Sequence, residues 1–198
     1  MLAELFGGVV LTVLAVACGL FVLVAIVVAL IYNGLVGKKN MCENSFATID
    51  VMLKKRYDLI PNLVAAVKGY MTHENEVFTK ITELRAKAIS GNLSTEEKIG
   101  VNNQITSALR SIMVSVENYP ELKASENFLH LQTTLTELEE QISAARRAYN
   151  SAVLDYNNAC EMIPTNFVAS IIGYRRKSFF EAGDGERSRV DVGFSAKK

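Results

Sequence analysis

Apolar side chains fill the start of the chain almost without interruption. Nearly every residue from Leu5 to Ile31 is apolar or small, and no charged side chain lies between Glu4 and Lys38. A helix needs about 20 apolar residues to cross the hydrocarbon core of a bilayer, and an uncharged run of this length is more typical of a membrane span than of a buried core helix. The pattern therefore predicts a transmembrane anchor over residues 1–37.

The residues that flank this run predict its orientation. No Lys or Arg precedes the run, whereas Lys38, Lys39, Lys54, Lys55 and Arg56 follow it. Because positive residues are retained on the cytoplasmic side of a membrane, we expect a single-pass protein with a short N-terminus outside and the rest of the chain in the cytoplasm. A cleaved signal peptide is disfavoured, since it needs a basic start and an apolar stretch about half as long.

After residue 37 the apolar positions recur every three or four residues, which predicts amphipathic helices. The first series, here called the first seam, holds Phe46, Ile49, Leu53, Ile60, Leu63, Val67 and Tyr70. Pro61 lies inside this series and predicts a kink. The seam keeps its phase across the proline, which favours one kinked helix over two. Little separates the seam from the membrane run, so we expect both to belong to one long helix.

Two shorter helices are predicted next. The first covers Glu74–Ser90, with Thr72 as its cap. Its apolar face comprises Val77, Ile81, Leu84 and Ala88. The second begins at a capping box of Ser94 and Glu97 and ends at Pro120. Its apolar stripe comprises Val101, Ile105, Ala108, Ile112 and Tyr119.

The last predicted helix has the most regular pattern. Apolar residues fall at alternating steps of three and four from Phe128 to Ile163, which predicts a heptad seam roughly 50 Å long. Tyr149 and Tyr156 alternate with alanines in this seam, which indicates close approach of a neighbouring backbone. The fold class predicted is all-α: a transmembrane helix followed by an elongated antiparallel helical bundle over residues 38–180, with one long heptad-patterned helix. A parallel intermolecular coiled coil is the alternative.

Short loops between antiparallel helices would return the segment after Pro164 to the membrane. Its aromatic and basic side chains are candidates for contact with the membrane surface: Tyr174, Arg175, Arg176, Lys177, Phe179 and Phe180. Anionic lipid attracts each such cation by about 1 kcal/mol. Alternatively, the apolar residues cap the end of the bundle and the basic residues are solvated. Residues 181–198 are predicted to be a flexible tail, in which 190–194 has the pattern of a short strand.

Composition narrows the classes of function. The part after residue 37 is nearly neutral, with all 21 Lys and Arg and 20 of the 21 acids, so a nucleic-acid partner is not expected. Cys18, Cys42 and Cys160 are widely spaced, which disfavours a disulfide framework and a zinc site and fits a reducing compartment. His73 and His130 lie apart, and no phosphate-binding or nucleophile motif occurs. No enzyme activity, metal or cofactor is therefore predicted.

One charged residue interrupts the first seam. Arg56 occupies a seam position, and a buried guanidinium needs an acceptor from another helix, for which Glu137, Glu139 and Glu140 are candidates. We interpret it as part of a structural motif that sets helix register, in preference to a binding site. The residues assigned to this motif are Arg56, Asp58, Pro61, Asn62, Tyr149 and Tyr156.

Several blocks of the sequence resemble the LemA family. They are Tyr32-Asn33-x-Leu35-Val36, Arg56-x-Asp58-Leu59-Ile60-Pro61-Asn62-Leu63-Val64, Val67-Lys68-Gly69-Tyr70-x-x-His73-Glu74, Tyr119-Pro120-Glu121-Leu122-Lys123-Ala124, Arg146-Arg147-x-Tyr149-Asn150, and Pro164-x-Asn166 with Gly173-Tyr174. The resemblance covers nearly the whole chain from Tyr32 to Phe194. It implies a single-span, helical-bundle protein of a bacterial inner membrane without an established enzyme activity. One branch of the family is associated with magnetosome membranes, and nothing in these residues assigns the chain to that branch.

Two functions fit these features. The first is a non-enzymatic membrane scaffold that self-associates, favoured by small residues spaced four apart in the apolar run. These pairs are Ala3/Gly7, Ala15/Gly19 and Ala25/Ala29. The second is an adaptor in membrane signalling or proteolysis that recruits a protein partner through an exposed helix face. A hydrolase with an unfamiliar site is the least favoured reading.

Overall fold

The structure is a computed structural model that describes residues 2–71, 75–91 and 93–180. Its elements within these ranges are α1 (Leu2–Lys68), α2 (Asn75–Ile89), α3 (Thr95–Val116), α4 (Pro120–Lys123), α5 (Glu126–Glu161) and α6 (Thr165–Ile171). The described part of the chain contains no strand, so the predicted all-α fold is confirmed. The predicted cap Thr72, His73 and the tail 181–198 lie outside the described residues.

α1 is a single helix of 67 residues that contains Pro61. The expectation that the apolar run and the first seam share one helix is therefore confirmed. Residues 11–30 are exposed at every position. By length and composition this part of α1 is apolar enough to cross a membrane.

Contacts divide the chain into two compact units, each of which contains parts of α1 and α5. The first unit comprises α1 up to Ser45 together with Ser151–Lys177, and the second comprises Phe46–Asn150 and the described residues after Lys177. The predicted boundary at residue 37 falls inside α1, and the division into anchor, bundle and tail stays a prediction.

The core of the second unit is built from one apolar face of each helix that enters it. On α1 the buried side chains are Ile49, Leu53, Ile60, Leu63 and Val67, with Phe46 half-buried and Tyr70 exposed at the ends of the first seam. On α5 they are Phe128, Leu131, Leu135, Leu138, Ile142 and Tyr149. α2 packs on α3, which carries Ile105 and Ile112 into the same core. The step of three and four residues explains these positions, since it places each set on one face of its helix.

Capping explains where α3 begins. The Glu97 amide donates to Oγ of Ser94 at 3.2 Å, and the Ser94 amide donates to Oε2 of Glu97 at 2.8 Å. This reciprocal pair satisfies two backbone donors at the helix start, as the sequence predicted. The hydrogen bonds from Ser94 hold the pKa of the Glu97 carboxyl below its usual value.

Three details of the predicted helices are wrong. Phe78, rather than Val77, is the buried residue at the start of α2, because the buried face runs through Phe78, Ile81 and Leu84. α3 ends at Val116, before Tyr119, and Pro120 begins the short α4 because a proline is accommodated at the first position of a helix. α5 ends at Glu161, and Ile163 is 78% exposed instead of continuing the heptad seam.

In the first unit, α6 packs on α1. Val168 and Ala169 form a buried apolar cluster with Leu35 of α1, and Ile31 and Ile172 pack against it. The cluster attaches the segment after α5 to α1 just beyond residues 11–30.

Candidate functional site

The most unusual buried group is the Arg56 guanidinium in the second unit. Its side chain is fully buried on the apolar face of α1, between Leu53 and Ile60. A buried cation is costly unless hydrogen bonds and an opposite charge replace the water it loses. The surrounding helices provide both.

α3 and α5 supply the acceptors for Arg56. Nη1 donates to Oε2 of Glu139 at 2.6 Å and to Oγ1 of Thr106 at 3.0 Å. Nη2 donates to the side-chain oxygen of Asn102 and, at 3.5 Å, to the Asn102 carbonyl. Of the three glutamates considered from the sequence, Glu139 is the partner. Asn102 and Thr106 were missed, because polar residues on an amphipathic helix give no sign of which neighbour they face.

A second arginine lies on the other side of Glu139. Nη2 of Arg146 is 4.0 Å from Oε1 of Glu139, and its guanidinium lies 4.7 Å from the centre of the buried Phe180 ring. Glu139 therefore lies between two guanidinium groups and compensates part of the charge of both. Arg56 and Arg146, together with Asn102, Thr106 and Glu139, are called the arginine network below.

The neighbouring residues of the predicted motif do not join the arginine network. Asp58, Pro61 and Asn62 are exposed on α1. Tyr57 is buried, which raises the pKa of its hydroxyl, and its carbonyl accepts a hydrogen bond from Nε of Arg85 at 2.8 Å. Proximity in sequence therefore does not place these residues in one site, because successive helix positions point about 100° apart.

An open cavity of about 270 Å³ adjoins the arginine network. It is lined by Arg56, Thr106, Leu109, Arg110, Met113, Gln132, Leu135, Thr136 and Glu139. The lining combines apolar side chains with the paired charges of Arg56 and Glu139 and with the exposed Arg110. Among the described residues, no group of His, Cys, Asp or Glu has the arrangement of a metal site.

Tyr149 and Asn150 fix the chain that follows Lys177 in the second unit. The Tyr149 hydroxyl donates to the Ser178 carbonyl at 3.1 Å, and the Tyr149 ring meets the edge of Phe46 with 5.5 Å between centres. The Asn150 side chain accepts from the Phe180 amide at 2.7 Å and donates to the Phe180 carbonyl at 3.0 Å. A single amide thus satisfies both backbone groups of one residue that lies outside any helix.

Asn157 makes the same kind of contact within the first unit. Its side chain accepts from the Lys177 amide at 2.9 Å and donates to the Lys177 carbonyl at 3.0 Å. The neighbouring Tyr156 is buried against Tyr174, with 6.1 Å between ring centres. Burial, together with a hydrogen bond to Cys160, raises the pKa of the Tyr156 hydroxyl, so it stays protonated. Burial also raises the pKa of the Cys42 thiol, which indicates a packing role rather than a reactive one.

The basic and aromatic segment is more enclosed than the sequence suggested. Phe180 is buried in the core of the second unit, so its assignment to a membrane-surface contact is wrong. Nε of Arg176 pairs with Glu161 at 3.0 Å, and Nζ of Lys177 lies 3.6 Å from Glu43. Arg175 is exposed.

Tyr174 and Phe179 differ from Phe180. Tyr174 is half-buried and lies under the Lys39 ammonium, 5.4 Å from its ring centre, whereas Phe179 is 37% exposed. Of these aromatic side chains, Tyr174 packs against α1 and α5 and Phe180 packs against α5, so both attach the segment to these helices.

Comparison with known proteins identifies the family of this chain. The sequence model of the LemA family matches residues 45–194. "Protein LemA" of Metamycoplasma hominis is 29% identical over 160 residues, covering 81% of this chain and 73% of that protein. "Magnetosome protein MamQ 2" of Paramagnetospirillum magneticum is 25% identical over 181 residues, covering 77% of this chain and 66% of that protein. "Magnetosome protein MamQ" of Magnetospirillum gryphiswaldense is 24% identical over 201 residues, covering 86% and 74%.

The chain spans about two thirds to three quarters of the length of these relatives. The family match begins near the boundary of the second unit and includes both the first seam and the arginine network. With three quarters of its residues inside this match, the chain belongs to the LemA family.

Proposed function

We propose that the protein is a membrane-anchored, non-enzymatic helical scaffold that self-associates and organises the membrane or its proteins. One observation carries this proposal: the exposed apolar run and the buried first seam are parts of the same helix. No flexible linker separates the part that would lie in lipid from the part that packs against other helices. Such a helix suits a protein that holds a folded domain at a membrane.

The membrane placement follows from the exposed run and its flanks. Residues 11–30 form about 30 Å of helix, the thickness of a hydrocarbon core. The first cations after the run are Lys38 and Lys39, which favours a single-pass protein with its N-terminus outside and its folded part in the cytoplasm. Membership of the LemA family supports the bacterial inner membrane as the membrane concerned. The similarity to proteins named for the magnetosome supports association with a membrane.

Self-association is supported by small residues on the exposed part of α1. Ala15/Gly19 and Ala25/Ala29 are pairs spaced four apart, and a side chain added at Gly19 would meet open space. Small residues let two membrane helices approach closely and pack through their backbones. The third predicted pair, Ala3/Gly7, includes a side chain outside the described set.

The arginine network supports a structural rather than a catalytic role for the second unit. The Arg56 guanidinium pairs with Glu139 of α5 and donates a hydrogen bond to Thr106 of α3. These contacts link α1 to both helices, which suits a group that fixes their register. Lipids are the expected partners, together with further copies of the chain.

Cysteine cross-linking in the membrane tests self-association. Cys18 is exposed and lies three residues after Ala15, at the border of the face that carries Ala15 and Gly19, so two copies that pack through this face bring their Cys18 thiols near each other. Oxidation of full-length protein in native membranes is expected to give a disulfide-linked dimer, which is lost in Cys18→Ser and weakened in Gly19→Leu. A variant that lacks Cys42 and Cys160 is expected to retain the dimer. Monomer at every surface density would overturn the proposal.

The cavity beside the arginine network supports the adaptor as a second candidate. Leu109, Met113 and Leu135 offer an apolar surface beside exposed polar groups, which suits a partner's side chain. Affinity purification of the full-length protein after cross-linking distinguishes the two candidates. A single stoichiometric partner that is lost in Met113→Glu favours the adaptor, whereas recovery of the chain alone favours the scaffold.

A further inference from the structure

The segment around α6 has two apolar faces, and the described residues cover only one of them. Val168 and Ala169 are buried against Leu35 of α1. Met162, Ile163, Phe167 and Ile171 point elsewhere, with exposed fractions of 62%, 78%, 63% and 85%. These four side chains, called the α6 patch, come from only ten residues of sequence. Large apolar side chains grouped in this way mark a contact with another apolar phase.

The place where α6 packs along α1 indicates that this apolar phase is lipid. Its covered face packs on Ile31 and Leu35, which directly follow the exposed run of residues 11–30. At 1.5 Å per residue, Leu35 lies about 7 Å along α1 from the end of that run. A hydrocarbon core of about 30 Å within a bilayer of about 40–45 Å leaves a headgroup layer of about 5–7 Å on each side, and amphipathic helices lie at the boundary of that layer with the acyl chains. The part of α1 on which α6 packs is therefore next to the headgroup layer of the proposed span, where an interfacial helix lies.

The charges around the α6 patch suit the same environment. Lys38 and Arg175 are exposed, and both lie within a few residues of the apolar cluster that attaches α6 to α1. Cations beside an apolar surface are attracted to anionic headgroups while the apolar side chains enter the acyl region.

We propose that α6 and the turn before it are a second membrane-contacting element, with Met162, Ile163, Phe167 and Ile171 inserted among the lipid acyl chains on the cytoplasmic side. The inference rests on the proposal that residues 11–30 cross the bilayer. It differs from the prediction made for the basic and aromatic segment: the side chains that enter lipid precede Tyr174, and the segment after it is attached to the protein.

The absence of tryptophan from the chain provides a direct test. Phe167→Trp places one reporter on the α6 patch of full-length protein, reconstituted in vesicles of phosphatidylcholine and phosphatidylglycerol with brominated acyl chains. We expect its fluorescence to lose most of its intensity relative to vesicles without bromine. Ile171→Trp repeats the measurement if the first variant folds poorly.

Two matched variants separate this inference from the proposed span. Leu20→Trp reports on the apolar run itself and is expected to be quenched. Leu154→Trp, half-exposed on α5 and about 10 Å before its end, is expected to keep its fluorescence. Unquenched Phe167→Trp beside quenched Leu20→Trp overturns the inference and leaves the span intact. Phe167→Trp fluorescence that is shielded from water but insensitive to bromine indicates that protein rather than lipid covers the patch, which also overturns it.

Discussion

The two halves of α1 are both rich in apolar side chains, and their surroundings are opposite. Every residue from 11 to 30 is exposed, whereas six core residues from Ile49 to Val67, Tyr57 among them, are buried at steps of three or four. The first half is apolar on all faces and the second half on one face only. The distribution of apolar side chains around the helix, rather than their number, therefore determines whether it faces lipid or packed protein.

The two halves of α1 also differ in the charged residues that they contain. The first half contains no charged residue between Glu4 and Lys38, whereas the second half buries Arg56 completely. Arg56 is tolerated because Glu139, Asn102 and Thr106 replace its water. A lipid-facing position offers no such acceptors. An arginine is therefore tolerated in the second half of α1 but would be unfavourable in the first half.

The largest expected effect comes from truncating a core leucine. Leu53 is 1% exposed and Leu20 is 65% exposed. Leu53→Ala leaves a cavity in the second unit and should lower the free energy of unfolding by about 4 kcal/mol, whereas Leu20→Ala should leave it nearly unchanged. Chemical denaturation of the full-length protein in detergent, followed by circular dichroism, measures both. Equal losses would contradict the difference between the two halves.

The next effect concerns the acid that neutralises Arg56. Glu139→Ala leaves a buried guanidinium without its counter-charge, and we expect a loss of about 3 kcal/mol, the low end for such a pair because Glu139 is 36% exposed. The matched control is Glu137→Ala, which removes an exposed acid two residues earlier in α5. The same denaturation experiment applies. If the two variants are equally stable, Arg56 does not depend on Glu139.

Placing an arginine in the first half should interfere with insertion rather than folding. Leu20→Arg should disfavour membrane insertion by about 2.5 kcal/mol, since a charge near the centre of a span has no partner there. The fraction of protein that resists carbonate extraction measures this, with Leu20→Ile as the control. An unchanged fraction would contradict the expected penalty for a charge at position 20.

The smallest effect is a pH dependence that belongs to α3, which packs on the second half of α1. Hydrogen bonds from Ser94 lower the folded-state pKa of Glu97 below its ordinary value of 4.5. The resulting stabilisation is present above that value and is lost as the pH falls through the lower, folded-state pKa. Glu97→Gln keeps an acceptor but cannot titrate, so the unfolding temperature of the wild type should fall more on acidification. Parallel pH profiles would exclude this contribution.

Sequence reasoning succeeded where a feature repeats along a helix. The first seam, the heptad positions up to Tyr156 and the capping box at Ser94 each follow from the spacing of a few residue types. Arg56 was identifiable because a single charge interrupts an otherwise apolar series. Its partner could be limited to three glutamates but not chosen among them, since the rotation of α5 depends on the packed core.

The contacts that sequence reasoning missed have no periodicity. Asn150 and Asn157 bind the backbone of residues outside any helix, and such bonds depend on where the chain returns rather than on the residues nearby. Phe180 was wrongly assigned to the membrane surface because its basic neighbours suggested exposure. α6 was not predicted, since a helix of seven residues with apolar side chains on two faces has no clear amphipathic pattern.

The attachment of Lys177 to Asn157 has a consequence for proteolysis. Arg175, Arg176 and Lys177 offer trypsin three consecutive cleavage positions. A protease takes its substrate as an extended strand and needs the backbone groups near the bond it cuts, yet the Asn157 side chain holds both the N–H and the C=O of Lys177. Cleavage after Lys177 therefore requires the segment to leave α5 first, so its rate measures the free energy of that local opening.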